Sequence, residues 1–359
     1  MCIFCQDSNK FYHFKLPYTN NYHPKSQKIY ARIPKILYKR FFLKKNIIQP
    51  NTLMLAPLAG YSDLPFREVV KKFGADITVS EMISVHALAF KNKKTIKMIE
   101  KSPLENPFAL QIAGNDFGII QKAVEFLNEF KNEIQILDLN CGCPAPKVSS
   151  HGSGSSLLKD LNKLVKILQL LRETSVFPYL SVKVRLGFDK KIPLEIANAL
   201  NDSPIDYVVV HGRTKSDGYK KDKIDYDSIR LIKQNIQHPL IANGEITSPQ
   251  IAKKVQELTG AEGVMIGRAA IEKPWIFTQI KNNLEESIEL RKQVALEHFD
   301  RTISFRGDYG AIMFRKNLHA YSKGLKGASD FRNKVNAITD PALMREEIFN
   351  FFTHSSFEN

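Results

Sequence analysis

Residues 206–212 read DYVVVHG. The apolar run YVVV does not alternate with polar residues, and it closes on a histidine and a glycine. A run of that kind suits a short strand buried on both faces, as in a parallel sheet covered by helices. Seven more such runs occur from Asn51 onward: TLMLAP (52–57), ADITVS (75–80), FALQIAG (108–114), IQILDLN (134–140), YLSVKVR (179–185), PLIANG (239–244) and EGVMIG (262–267). Longer segments with helical spacing lie between them, such as SDLPFREVVKKFG (62–74) and DFGIIQKAVEFLNEF (116–130). Eight buried strands alternating with amphipathic helices predict an α/β fold, a (β/α)8 TIM barrel over residues 51–282. A doubly wound open sheet is the alternative. It calls for G-x-G-x-x-G after its first strand, where this chain has APLAGYSD.

Beyond residue 283 the strand runs stop. ELRKQVALEHFDRTISF (289–305) and AIMFRKNLHAYSKGL (311–325) read as amphipathic helices, which predicts a smaller all-helical domain over 283–359. Residues 1–50 form a basic extension with no sustained period. Within it, PKILYKRFFLKK (34–45) reads equally as a short basic amphipathic helix or as part of a disordered arm. Cys2 and Cys5 make a CxxC there, which on its own specifies nothing.

Composition narrows the class. Of 359 residues, 43% are hydrophobic and 25% charged, as in ordinary soluble globular chains. No run of about 18 apolar residues is present to cross a membrane. The N-terminal 50 residues lack the continuous apolar core of a secretory signal. Four cysteines in so long a chain do not make a disulfide framework, so a reducing cytoplasmic location is expected. The net charge is +15 and unevenly placed. Residues 1–50 hold ten Lys and Arg against one acid, whereas 283–359 hold eleven of each sign. Within that neutral tail, 301–334 carries eight basic and two acidic residues. Such a segment is either a footprint for a polyanion or a solvated helix face.

In a TIM barrel the chemistry sits at the C-terminal ends of the strands. Those ends carry Ala56-Pro57, Ser80-Glu81, Gln111, Asp138-Leu139-Asn140, Lys183 with Arg185, His211 with Arg213, Asn243-Gly244 and Gly267-Arg268. Gln, Asn, Lys, His and Arg together suit an anionic ligand rich in hydrogen-bonding groups. The glycines after strands seven and eight let backbone N–H groups approach a phosphate. Lys183 and Arg185 are two apart on a strand and so face the same side. Two cations there need anionic partners, either a ligand or an internal ion pair with Glu81 or Asp138. His211 is a ligand group or a satisfied core histidine.

The fourth strand runs into DLNCGCP (138–144). If Asp138 and Asn140 face the barrel mouth, Cys141 faces the opposite way, into packing. Cys143 falls past the strand, on the loop above the site. It is therefore the better chemical candidate. A thiol of ordinary pKa, about 8.5, is mostly protonated at neutral pH and can donate a proton without activation. A zinc site built from Cys141, Cys143 and His151, or with Cys2 and Cys5, is the rival, but C-x-C is not a usual zinc spacing.

MLAPLAGYSDLPFR, LQIAG, DLNCGCPAPKV, GSGSSLL, VKVRLGF, VVHGRT, IANGEI and GVMIGRAAIEKPWIF occur in the order found in tRNA-dihydrouridine synthases. The tail FRKNLHAYSKGLKGASDFRNKVNAI resembles the helical domain of the bacterial B-type subgroup, so the resemblance covers about residues 51–340. It implies a barrel that holds FMN, with NADPH as reductant, and a helical domain that binds tRNA. The implied reaction reduces the C5=C6 bond of a tRNA uridine. Reduced flavin gives hydride to C6, and a cysteine gives the proton to C5. The cysteine of the family motif falls on Cys143. Flavin contacts carried over from the family fall on Ala56, Pro57, Gln111, Lys183, His211, Asn243, Gly244, Gly267 and Arg268. Asn140 and Arg185 lean toward the uracil. A uridine in folded tRNA reaches such a site only when unstacked and turned out. The basic stretch, with Arg306, Arg315, Lys316 and Lys323, is then expected to hold phosphates. No metal is expected, nor any membrane association, and the expected state is a monomer. Two other functions compete. One is an FMN barrel acting on a free pyrimidine, like dihydroorotate dehydrogenases, which leaves the basic helical tail unexplained. The other is an RNA-binding or chaperone protein that has kept the barrel without its catalysis.

Overall fold

The computed structural model describes residues 11–15, 30–34 and 46–358. The chain divides into two compact units, residues 1–47 and 48–359. In the first, strands Phe11–Lys15 and Tyr30–Pro34 pair antiparallel, with His13 opposite Arg32. Sequence reading finds no period there. Cys2, Cys5 and residues 35–45 of the basic stretch lie outside the described residues.

The second unit opens with eight parallel strands: β1 (Thr52–Leu55), β2 (Thr78–Val79), β3 (Phe108–Ala113), β4 (Ile136–Cys141), β5 (Tyr179–Arg185), β6 (Tyr207–His211), β7 (Leu240–Asn243) and β8 (Gly263–Ile266). Their spatial order is β1-β8-β7-β6-β5-β4-β3-β2. A parallel bridge from Met54 to Ile77 brings the two ends together, and the Leu55 N–H donates to the Ile77 carbonyl at 3.0 Å. This is a TIM barrel. Helices α1 (Leu64–Lys72), α2 (Val85–Ala89), α3 (Phe117–Leu127), α4 (Leu161–Thr174), α5 (Pro193–Asn201), α6 (Tyr226–Asn235), α7 (Pro249–Thr259) and α8 (Ile276–Asn282) follow the strands in turn.

Local chemistry sets the helix starts. Asp116 accepts from the Ile119 N–H, Asp160 from Lys163 and Asp225 from Ser228, each satisfying an amide with no partner inside its helix. Ser248 caps α7, Pro249 opens it, and Gly260 closes it at φ +69°. Seven of the eight strands are buried along their whole length, as their continuous apolar runs predict. Outward residues such as Leu139, Val182 and Val210 pack under the helices in one continuous core. Inward residues in register form rows across the strands. One row is Gln111, Asp138, Ser181 and Tyr207; another is Arg185, His211, Asn243, Met265 and Met54.

Four helices complete the unit: α9 (Ile288–Arg306), α10 (Tyr309–Tyr321), α11 (Ala328–Ala337) and α12 (Pro341–His354). They enclose a second core that includes Phe299, Phe314, Tyr321, Phe331 and Phe352, joined by Val69 of α1 and by Trp275. His298 sits inside it, 4.8 Å from the Phe314 ring, with Nδ1 2.8 Å from the Tyr321 hydroxyl. Burial pushes His298 down to about 4, so it is neutral there. The helices are tied to the barrel by Arg301–Glu68 at 2.5 Å, Arg306–Asp63 at 2.6 Å and Lys72–Glu297. Among the described residues no helix is long and apolar enough to cross a membrane.

Candidate active site

A cavity of about 720 Å³ opens at the C-terminal ends of the strands, within the usual range for a cofactor site. Ala56, Pro57, Gln111, Asn140, Cys143, Lys183, Arg185, His211, Asn243, Gly244, Gly267, Arg268 and Lys323 all line it. Arg306, Arg315 and Lys316 do not.

A relay of buried hydrogen bonds holds the cysteine loop. Ser181 donates to Asp138 at 2.6 Å, and Gln111 Nε2 donates to the same carboxylate at 2.7 Å. The Asn140 amide donates to Gln111 Oε1 at 2.7 Å. Asn140 Oδ1 accepts the N–H groups of Gly142 at 3.2 Å and Cys143 at 2.9 Å. Burial raises the Asp138 carboxyl to about 6 against the pull of these donors. The two cysteines part company here. Cys141 is wholly buried in the outer core, where burial pushes its thiol far up, whereas Cys143 is half-buried on the cavity wall. Gly154, at φ +60°, permits this approach: a Cβ there would lie 2.9 Å from Val148 and 3.1 Å from the Cys143 carbonyl. Among the described residues no three His, Cys, Asp or Glu side chains gather as a metal site needs.

Lys183 and Arg185 do face the same side, but their surroundings differ. Arg185 donates to three carbonyls, those of Gly142 at 2.7 Å, Thr214 at 2.7 Å and Gly218 at 3.0 Å. The ion pair with Glu81 or Asp138 considered above is not formed. Glu81 accepts instead from the Gly60 N–H, and Asp138 is taken by Gln111 and Ser181. Lys183 has no hydrogen-bond or ion-pair partner among the described residues, and its side chain borders the cavity. Burial, then repulsion from Arg185, lowers it to about 8. An unpartnered buried cation is costly unless an anion joins it. His211 is held well below its ordinary pKa by burial and by Lys183, Arg185, Arg213 and Arg268 around it, so it is neutral. Its Nε2 lies 3.2 Å from Arg213.

The ends of β7 and β8 form a cradle. Gly244 sits at φ +128°, and a Cβ there would come 2.4 Å from Ile224 and 3.1 Å from the His211 ring, so only glycine fits. Asn243 is fixed by donating to the Met265 carbonyl at 2.8 Å. Arg268 pairs with Glu245, which also takes Arg213 at 2.6 Å.

Sequence reasoning missed two residues here. Tyr219, on the loop after β6, lies between the Arg185 and Arg268 guanidiniums at 5.4 and 5.5 Å. Glu245 joins two arginines across the cradle. Tyr219 lies outside every motif and Glu245, though within IANGEI, shows no partner in sequence; only the fold brings their partners near.

Most of the basic tail residues prove to be engaged. Arg306 pairs with Asp63, Arg315 donates to the Ile338 carbonyl at 2.7 Å, Lys316 donates to the Gly60 carbonyl, Lys323 pairs with Glu272 at 2.7 Å and Lys334 with Glu347 at 2.8 Å.

Comparison with known proteins places these features in a family. Residues 54–354 match the family described as dihydrouridine synthase (Dus). A probable tRNA-dihydrouridine synthase of Helicobacter pylori (strain ATCC 700392 / 26695) is 57% identical over 308 residues, covering 86% of this chain and 94% of that protein. The tRNA-dihydrouridine synthase B of Vibrio vulnificus (strain CMCP6) is 38% identical over 312 residues, covering 84% of this chain and 96% of that protein. A crystal structure of TcOYE with pHBA superposes with a TM-score of 0.50 at 8% identity, over 74% of this chain and 99% of that one, which is a likeness of fold alone.

Proposed function

This chain belongs to the dihydrouridine synthase family, of the B type, and we propose that it reduces the C5=C6 bond of uridines in tRNA to 5,6-dihydrouridine, with FMN in the barrel and NADPH as reductant. The observation that carries this reading is Cys143 on the wall of the cavity that also holds the unpartnered Lys183 and the Gly244 cradle.

The residues present fit a flavin mononucleotide. Gly244 and Gly267 leave backbone open at the place where TIM barrels bind phosphate, with Arg268 beside them. Lys183 offers a cation with no hydrogen-bonded or ion-paired anion among the described residues, and Gln111, Asn243 and neutral His211 offer hydrogen bonds. When bound and reduced, the flavin supplies the hydride for C6. Lys183 would supply the cation that offsets the negative charge of a reduced flavin. Cys143 holds the proton for C5, and Asn140 fixes the loop that aims it. Arg185 ties the loops after β4 and β6 to one another, which shapes the uracil side of the cavity. The uridine enters turned out of the tRNA stack, while basic groups outside the cavity take the backbone phosphates.

Mass-spectrometric mapping of dihydrouridine in tRNA from a deletion strain tests this reading. At least one position is expected to lose the modification, to regain it with the intact gene, and not with Cys143→Ala. Unchanged dihydrouridine at every position, with no second enzyme of the family in that strain, refutes it.

A further inference from the structure

The loop between β1 and α1 forms one wall of the cavity, through Pro57, Leu58, Ala59 and Tyr61. It is a tight turn. The Tyr61 and Ser62 N–H groups both donate to the Leu58 carbonyl at 2.9 Å, and the Leu58 N–H donates to the Ser62 hydroxyl at 2.9 Å. Nothing within the turn fixes it relative to the barrel; its anchors come from outside. Glu81 accepts from the Gly60 N–H. Arg67 Nη1 of α1 donates to the Ser62 carbonyl at 3.0 Å, and two further anchors belong to the helical segment. Arg306 Nε and Nη2 both donate to Asp63 Oδ2, at 3.1 and 2.6 Å, while Asp63 Oδ1 caps α1. Lys316 donates to the Gly60 carbonyl and lies 4.7 Å over the Tyr61 ring. The fit at Gly60 is close: its φ is +79°, and a Cβ there would stand 3.3 Å from Lys316 Nζ.

We propose that Arg306 and Lys316 are positioning residues for this loop, and through it for the cavity wall, rather than contacts for RNA phosphates. Both belong to the stretch whose charge reads as a polyanion footprint. Both are already spent on the barrel, and neither can turn to a phosphate without releasing the loop. Lys326 and Arg332 of the same stretch have no side-chain hydrogen bond or ion pair among the described residues and remain available for that work. The clamp also makes the loop a physical link between the helical segment and the cavity, beside the Lys323–Glu272 pair on its rim, so a shift of α10 moves the wall. The proposal rests on the function above only in naming what fills the cavity.

The test compares Arg306→Met/Lys316→Met with the conservative Arg306→Lys/Lys316→Arg and with the wild-type protein. Hydrogen exchange of the 58–63 amides is followed, with FMN affinity by fluorescence quenching and tRNA affinity as a function of salt. The Met pair is expected to exchange these amides about tenfold faster, while barrel strands are unchanged. FMN is expected to bind about tenfold more weakly, and the salt slope of tRNA binding to stay within about half a phosphate contact of wild type. The conservative pair is expected to recover most of both losses. Unchanged loop exchange overturns the proposal. So does a salt slope lowered by about two contacts with FMN affinity intact, since that is the behaviour of phosphate contacts. If the wild-type protein binds no FMN, the cofactor reading fails, and loop exchange alone still decides the clamp. If the Met pair does not fold, Lys316→Met alone is read by the same exchange.

Discussion

The Cys143 backbone N–H donates to Asn140 Oδ1 across 2.9 Å, so the loop that carries the thiol hangs from a residue inside the barrel. Asn140 is itself held by Gln111, and Gln111 by Asp138. Asn140→Ala leaves Gln111 Oε1 and two loop N–H groups without their partner. A catalytic group displaced by about 1 Å can cost roughly 10²-fold in rate. Dihydrouridine formation is therefore expected to fall by about that factor, while the flavin spectrum and its reduction by NADPH change little. Single-turnover kinetics on unmodified tRNA checks this. A slowed flavin reduction of equal size would show that Asn140 serves the cofactor instead of the loop.

The two cysteines separate cleanly by experiment. Cys143→Ala is expected to abolish dihydrouridine formation and leave flavin reduction intact. Cys141→Ala removes a small group from a packed core and is expected to cost about 1 kcal/mol of stability with turnover retained. Alkylation gives a second reading. In the native protein iodoacetamide is expected to label the Cys143 peptide and spare the Cys141 peptide, because Cys141 is 0% exposed and burial disfavours its thiolate. Peptide mapping decides it, and equal labelling of both counts against the assignment.

The barrel was legible because a strand buried on both faces writes a continuous apolar run, and seven of the eight runs mark strands of four residues or more. ADITVS is the instructive exception, with only Thr78–Val79 in strand. There the Asp76 carboxylate accepts the Leu53 N–H at 2.8 Å, so a side chain replaces part of the ladder. The strand-end residues were legible for the same reason: a barrel of known direction places its strand ends in one mouth. The tail was less so. α9 packs against α1, α10 and α12 at once, so its apolar residues do not keep to one stripe, and α11 and α12 were not resolved as separate helices. The partners of the basic residues were not legible at all. Asp63 lies 243 positions from Arg306, and Gly60 lies 256 from Lys316. Charge counted along a chain cannot tell a free cation from one already spent.

Asp138 supplies a pH signature. Burial raises its carboxyl from 3.8 to about 6 in the folded chain. Between those values the folded state binds the proton that the unfolded state has released, so stability from this group is full at low pH and is lost as pH rises through about 6. The loss is worth roughly 3 kcal/mol. Asp138→Asn cannot titrate. Urea unfolding of both proteins from pH 4 to 7 is expected to show their stability difference moving in favour of the variant as pH rises. A difference that stays constant across that window would mean Asp138 is ionised at ordinary carboxylate pH in the fold.

Lys183 gives the opposite slope and links stability to the ligand. Burial and Arg185 lower it from 10.5 to about 8, so above pH 8 the folded cofactor-free protein has shed a proton that the unfolded chain still holds. Stability from this group therefore rises with pH between about 8 and 10.5. Lys183→Met is expected to lose that slope and, freed of a buried unpartnered charge, to be the more stable protein at pH 7 without cofactor. Binding an anionic ligand beside the ammonium reverses the preference, because a nearby negative charge holds the proton on. FMN affinity of the wild-type protein is then expected to weaken as pH climbs from 7 to 9, with proton uptake on binding near pH 8. The methionine variant is expected to bind FMN more weakly and without that dependence. Fluorescence titrations at pH 7, 8 and 9 measure both. Parallel pH profiles for the two proteins would place the ligand's charge away from Lys183 and would leave its missing partner to be found elsewhere in the cavity.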